Sequence, residues 1–323
     1  MTFRITNKTP STISKTREQK DKQKPGKAPK KKTSFQEFIE AIGVALIAAI
    51  ILRIFLVQAF RIPTGSMKDT LMIGDFLLVN KFIYGVRTPN RIPFTDIEIP
   101  YIRLPGFKEP ERGNIIVFKY PRDESLDYIK RCIAVGGQTV EVKDGWAYVD
   151  GKPEGTWTRI KQRQRDSDPR DRRTFDYYEV KTDWGDKYIV RQLSDYPTPW
   201  DDFGPVRVPK KGQTIHFPLK NQAEWRLYEE LIENREHHTF DRRSDSTVLI
   251  DGKLRNSYTI EQDYLFMMGD NRDDSSDGRD WGFMPRENVV GEALLIYFSF
   301  DKNSPLYDIF SLVRWGRIGM IIR

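Results

Sequence analysis

Residues 35–60, FQEFIEAIGVALIAAIILRIFLVQAF, form an apolar segment directly behind a basic tail, and no other feature limits the fold as strongly. A helix that crosses the hydrocarbon core of a bilayer needs about 20 predominantly apolar residues. The uncharged run from Ala41 to Leu52 is too short on its own, but residues 39–60 reach that length if Arg53 is included. An arginine at the bilayer centre costs about 2.5–3.5 kcal/mol, yet Arg53 sits towards the C-terminal end, where its long stem can reach the interface. Residues 35–60 are therefore expected to be a transmembrane helix. Ahead of them, residues 1–34 hold eleven Lys/Arg against Glu18 and Asp21 and few large apolar side chains, a composition that cannot bury enough surface to fold. This tail is expected to be disordered, and the positive-inside tendency places it in the cytoplasm and everything after Phe60 outside it. A buried core helix and a cleaved signal peptide are the alternatives. Lys30–Lys32 and Arg61 suit membrane flanks; Val57 and Ala59 mimic a cleavage pattern, but the basic region is longer than a targeting segment needs.

The formal net charge of +7 resides in that tail and the remaining chain is slightly acidic, which argues against a nucleic-acid-binding face on the body. Cys132 is the only cysteine, so an intrachain disulfide and any multi-cysteine metal or iron–sulfur site are excluded. His216, His237 and His238 lie far from the motifs discussed below. Adjacent side chains on a helix point about 100° apart, and no acidic triad accompanies His237 and His238, so no metal site is expected and the pair reads as a solvated helix end.

Past the apolar segment the pattern is β-rich and antiparallel. Candidate strands are 76–82, 114–120, 128–135, 139–142, 146–149, 264–268 and 293–300, with hairpin turns at Asp144–Gly145 and at Asp251–Gly252 between TVLI and KLRNSYTI. Residues 83–111 are rich in Pro and Gly and read as an extended loop. Residues 151–245 differ in character: they hold the tract RIKQRQRDSDPRDRR, read as a solvated loop, and one helical pattern over 221–238, with Trp225, Tyr228, Leu231 and Ile232 on one face. The chain is thus expected to be mainly β, with a β domain built from 61–150 and 246–323 and a mixed α/β lobe, 151–245, inserted in it. The last twenty residues, apolar with Arg314, Arg317 and Arg323 interspersed, either pack on the body or lie against a membrane surface.

Two polar residues stand out against this background. Ser66, in PTGSMKDTL, follows the apolar segment with no histidine near it in sequence, and a serine attacks an amide only if a base takes its proton. Lys130, in YIKRCIAVGGQ, lies in an otherwise apolar strand. With an ordinary pKa of about 10.4, a lysine is neutral in roughly one molecule in a thousand near pH 7.5, and desolvation can lower that pKa by as much as ~3–5 units. Taken singly, each residue has an ordinary reading, a turn serine and a solvent-facing edge lysine.

The order of PTGSMKDTL, GDFLLVNK, RGNIIVFKYP, YIKRCIAVGGQ and GDNRDDSSDGRDWG behind one basic-flanked apolar segment resembles the bacterial type I signal peptidases (leader peptidases), membrane-anchored Ser–Lys serine proteases. The resemblance covers 35 to about 82, 112–150 and 246–323. It implies an antiparallel β-sheet protease domain behind the transmembrane helix, with Ser66 as nucleophile and Lys130 as general base. The oxyanion hole would combine the Ser66 backbone N–H and the Thr64 hydroxyl. Ser275 would hydrogen-bond the lysine, and Asp277 and Arg279 would form a supporting ion pair, while Asp270 and Asn271 read as turn formers. The implied reaction is removal of signal peptides from exported preproteins after small residues at −1 and −3, with no cofactor and no metal. The implied partners are preprotein signal peptides, the lipid bilayer and the protein translocation machinery. The implied place is the bacterial inner membrane, single-pass, with the catalytic domain on the extracytoplasmic side. Asp69 departs from the family's usual proline and is expected to face solvent; Gly278 and the pair Gly137–Gln138 depart as well. A self-cleaving Ser–Lys repressor would place a DNA-binding helix-turn-helix where this chain has its tail and apolar segment. A catalytically dead relative serving as a membrane scaffold would not need both Ser66 and Lys130.

Overall fold

The computed structural model describes residues 33–55, 57–88, 102–165, 174–183, 185–193, 201–244, 246–302, 304–305 and 309–322. The tail 1–32, the middle of the 83–111 loop and the second half of the Arg/Asp tract lie outside them. The chain divides into two units, Met1–Ile47 and Ala48–Arg323.

Helix α1 spans Ser34–Phe55. It opens on a reciprocal cap: Gln36 N–H donates to Thr33 Oγ1 at 3.4 Å and Thr33 N–H donates to Gln36 Oε1 at 3.2 Å, which satisfies two backbone donors that have no partner inside the helix. Phe35, Phe38, Ile39, Ile42, Val44, Leu46 and Ile47 are exposed. Among the described residues no helix is long and apolar enough to cross a membrane. The segment expected over 35–60 is also shorter than anticipated, because its last residues are captured by a sheet. Strand β1, Val57–Arg61, pairs antiparallel with β2, Asp75–Asn80, from Val57 opposite Asn80 to Arg61 opposite Phe76. The ladder provides hydrogen-bond partners that a frayed helix end would lack.

The body is organised on a seven-stranded antiparallel sheet. To β1 and β2 are added β3 (Ile115–Tyr120), β4 (Asp123–Val135), β5 (Tyr264–Met268), β6 (Met284–Pro285) and β7 (Val289–Ser299), in the spatial order β1-β2-β7-β3-β4-β5-β6. Side chains alternate across a strand, so β3 serves two cores. Ile115 and Val117 pack with Leu77, Val79, Ile296 and the loop residues Met67 and Leu71, whereas Ile116 and Phe118 pack with Cys132, Met267 and Trp281. Ile133 and Ala134, at the end of β4, enter a third core shared with Val140, Val149, Val206, Leu231 and Phe283.

The two predicted hairpins form. Asp144–Gly145 joins the strands Thr139–Lys143 and Trp146–Val149, and Asp251–Gly252 joins Val248–Ile250 to Lys253–Arg255. All four turn residues have positive φ, as a tight right-twisted hairpin requires. Within 151–245, Phe203–Arg207 pairs with Thr139–Lys143, so the block shares a sheet and a core with what precedes it. The block also holds a three-stranded sheet of Thr156–Arg165, Thr174–Lys181 and Lys187–Leu193. The first half of the Arg/Asp tract is therefore strand rather than loop, because its backbone pairs with Thr174–Lys181. Helix α2, Gln222–Asn234, is capped by Asn221 and buries Trp225, Tyr228, Leu231 and Ile232 as its spacing predicts. It ends four residues early, since His237 adopts φ 61° beyond it, and His238 bonds instead to Asp251 and Glu261. The C-terminal stretch docks on the body through buried Val313 and Ile322, and Arg317 holds the buried Asp75 carboxylate with its nearest contact at 2.6 Å.

Candidate active site

The loop between β1 and β2 carries Ser66. Pro63 restricts the backbone, Ile62 N–H donates to Asp75 O at 2.9 Å, and Gly74 N–H returns to Ile62 O at 3.1 Å, which closes the loop at its base. Met67 and Leu71 are buried beneath it, so the loop is pinned from below and presents Ser66 at its crest. Lys130 lies on β4 opposite Ile116. Strand β5 pairs with β4 only from Arg131 to Val135, and among the described residues no strand continues along that side over Leu126–Lys130. The free edge and the Pro63–Ser66 loop form the walls of a cleft of about 430 Å3, which Asp274 and Ser276 also line.

Across this cleft the Lys130 Nζ and Ser66 Oγ atoms lie 2.7 Å apart, and Nζ also donates to Ile129 O at 3.2 Å. Lys130 is only 4% exposed, and its amine sits 5.2 Å from the centre of the Tyr128 ring. Burial is the main cause of a pKa lowered to about 8, opposed by the negative charges of Asp277 and Asp270. A neutral amine at this distance can accept the hydroxyl proton. Asp69, expected to face solvent, is half-buried, with one carboxylate oxygen shielded and φ 76°; the carboxylates that act most strongly on Lys130 are Asp277 and Asp270.

The second motif wraps behind the pair. Asp277 is fully buried, caps the short helix α3 (Gly278–Trp281), and accepts from Arg279 Nε at 3.0 Å, Arg279 Nη2 at 2.9 Å and Gly269 N–H at 3.1 Å. Burial pushes its pKa up, but the Arg279 charge and these hydrogen bonds outweigh that, and the carboxyl stays below its ordinary range. The Asp277–Arg279 ion pair read from the motif is thus present. Ser275 lies beside the pair, but the hydrogen bond to Lys130 is not made: its buried hydroxyl has no partner, while the lysine amine is occupied by Ser66 and Ile129 O. Thr64 is exposed on the cleft wall, next to Gly65.

Asp270 and Asn271 do far more than form a turn. Asp270 accepts from Arg131 Nε at 2.9 Å and Nη2 at 2.8 Å, a fully buried bidentate pair, and from Thr70 Oγ1 at 2.6 Å. Asn271 grips the Ser66 loop twice: its N–H donates to Ser66 O at 3.1 Å and its Nδ2 to Gly65 O at 2.9 Å. Gly269 permits this approach, since a Cβ there would come within 2.5 Å of Ser66 O and 2.2 Å of Ser275 Oγ. Sequence reasoning missed Arg131, although its place beside Lys130 on a strand puts it on the opposite face, where a buried arginine needs a carboxylate. Cys132 is buried and its thiol pKa is pushed up to about 12 by burial, which makes it inert. A wider groove of about 670 Å3 between Arg122 and α2 has no nucleophile–base pair on its walls. Among the described residues no cluster of His, Cys, Asp and Glu is placed to hold a metal ion.

Residues 35–298 match the family model described as signal peptidase, peptidase S26. A signal peptidase I of Buchnera aphidicola subsp. Acyrthosiphon pisum is 29% identical over 90% of this chain and 83% of its own length. The signal peptidase I of Helicobacter pylori is 30% identical over 86% and 89%, and that of Pseudomonas aeruginosa 28% over 88% and 78%. A crystal structure of a signal peptidase I from Enterococcus faecalis V583 aligns with 57% of this chain and 97% of that one at 18% identity and a TM-score of 0.23, too low to bear on the fold.

Proposed function

We propose, from the premise that the chain belongs to the signal peptidase family, peptidase S26, that it removes signal peptides from exported preproteins with Ser66 as nucleophile and Lys130 as general base. The observation that carries this reading is the 2.7 Å approach of a buried lysine amine to the serine hydroxyl. Ser66 Oγ attacks the scissile carbonyl while its proton passes to Lys130 Nζ. The lysine then delivers that proton to the leaving amine, and a water that Lys130 deprotonates releases the acyl group from Ser66. The oxyanion is held by the Ser66 N–H with the Thr64 hydroxyl, both at the cleft wall. Asp277 and Arg279, neutralising each other behind the site, hold the Gly269 turn in place.

An extended substrate adds along the free edge of β4, whose main-chain groups set its register. Leu126, Tyr128 and Ile129 line the cleft, and this apolar wall is read as the part that takes small side chains such as alanine at −1 and −3. Residues 61–150 and 246–323 are read as the catalytic unit and 151–245 as an elaboration that shares its core. Residues 35–60 are read as the membrane anchor from their apolar sequence behind the basic tail, with Glu37 and Glu40 near one end and Arg53 near the other; no helix among the described residues is by itself long and apolar enough to cross, so the reading rests on the sequence. Ten residues separate Phe55 from Ser66, which would hold the site close to the outer surface of a bacterial inner membrane, where a translocated precursor and the translocation machinery meet it. One experiment tests both parts. The full chain is fractionated and the detergent-solubilised membrane fraction is given a preprotein; processing is expected there and not in the Ser66→Ala or Lys130→Ala variants. Cleavage surviving in both variants would reject the dyad, and enzyme recovered wholly in the soluble fraction would reject the anchor.

A further inference from the structure

The strand Lys187–Leu193, inside the 151–245 block, runs directly against the turn that holds the Ser66 loop. Arg191 N–H donates to Asp270 O at 3.2 Å, Arg272 N–H donates to Arg191 O at 3.2 Å, and Arg191 and Asn271 form a parallel bridge. The Arg191 side chain is 1% exposed and lies with its guanidinium 3.9 Å from the centre of the Phe175 ring. Its Nε donates to Asn271 Oδ1 at 2.8 Å.

That contact decides which way the Asn271 amide points. A guanidinium has donors and no acceptor, so only Oδ1 can face it, and Nδ2 is thereby directed at Gly65 O. Were the amide reversed, Oδ1 would meet the Gly65 carbonyl oxygen and the loop would lose one of its two ties. A second clamp comes from the same block: Glu154, 1% exposed, binds Arg272 Nη2 at 2.7 and 3.0 Å and accepts from the Tyr188 hydroxyl, while Arg272 Nε donates to Gly269 O at 3.2 Å.

We propose that Arg191 is a positioning residue which, acting through Asn271, holds Ser66 in register with Lys130, so that the 151–245 block serves as a buttress of the active site. This rests on the Ser66–Lys130 reading above. Displacement of a reacting group by about 1 Å can cost on the order of 100-fold in rate. In the full chain in detergent, with a peptide carrying alanine at −1 and −3 of the cleavage site, Arg191→Met should lower kcat about 10- to 100-fold while KM stays within about twofold. Arg191→Lys should recover part of the loss, because an ammonium also donates only. The double variant Arg191→Met/Asn271→Ala should be no slower than the slower of its two single variants, since both remove the same tie. A purely structural role for the block would lower Tm and leave kcat per folded molecule unchanged. A kcat for Arg191→Met within twofold of the parent, or losses that multiply in the double variant, would overturn the proposal. Should the methionine variant fail to fold, Arg191→Lys with Asn271→Ala gives the same cycle. Activity persisting in Ser66→Ala would sink the dyad reading instead, so the two failures are distinguishable.

Discussion

Lys130 is the residue at which function and stability are expected to oppose each other, and pH separates the two effects. Its pKa falls from the ordinary 10.5 to about 8, because burial disfavours the ammonium. At pH 7 about one tenth of the enzyme would then carry the neutral base, against roughly one molecule in 3,000 for an unperturbed lysine. The kcat/KM for a signal-peptide substrate, measured from pH 5.5 to 9.5, should therefore rise about tenfold per pH unit at the acid end and level off above pH 8. The same difference has a cost in folding. Between about pH 8 and 10.5 the unfolded chain binds a proton at this residue that the folded chain does not, so stability contributed by this group rises with pH across that window. Below pH 8 the penalty is complete, on the order of 3 kcal/mol. Lys130→Met is accordingly expected to be inactive yet more stable than the parent at pH 7 in denaturant titrations, with the advantage shrinking towards pH 10.5. A profile still rising about tenfold per pH unit at pH 9.5, a profile flat from pH 6 to 9, or a methionine variant markedly less stable at pH 7 would refute the reasoning.

Gly269→Ala should reduce activity by more than tenfold while the protein still folds, because the added methyl would press on Ser66 O and Ser275 Oγ rather than on a core; peptide cleavage and circular dichroism together check this. Ser275→Ala removes a buried hydroxyl that has no partner, so Tm should be unchanged or rise by an amount equivalent to about 1 kcal/mol.

Much of the site was legible because the chemistry sits in short stretches. PTGSM shows a serine on a stiffened turn, YIKRC shows a lysine among apolar neighbours, and GDNRDDSSDGRDWG contains the Asp277–Arg279 pair whose two residues are only two apart. Local pattern also reached the hairpins at Asp144 and Asp251 and the buried face of α2, since turn preference and helical period depend on near neighbours alone. It misjudged the ends. Val57–Phe60 are as apolar as the residues before them, and only the availability of β2 as a partner makes them strand.

The sequence by itself determined which groups were available: one serine after a helix, one lysine in a strand too apolar to leave it comfortably charged, and a motif supplying its own counter-ion. Tertiary structure alone decided that these groups meet. The Arg131–Asp270 pair spans 139 positions, and the ties from Asn271 to Gly65 and Ser66 span 206 and 205. No periodicity extends over such distances. Burial, which gives Lys130 its lowered pKa, is likewise a property of everything packed around the residue rather than of the residues beside it in the chain.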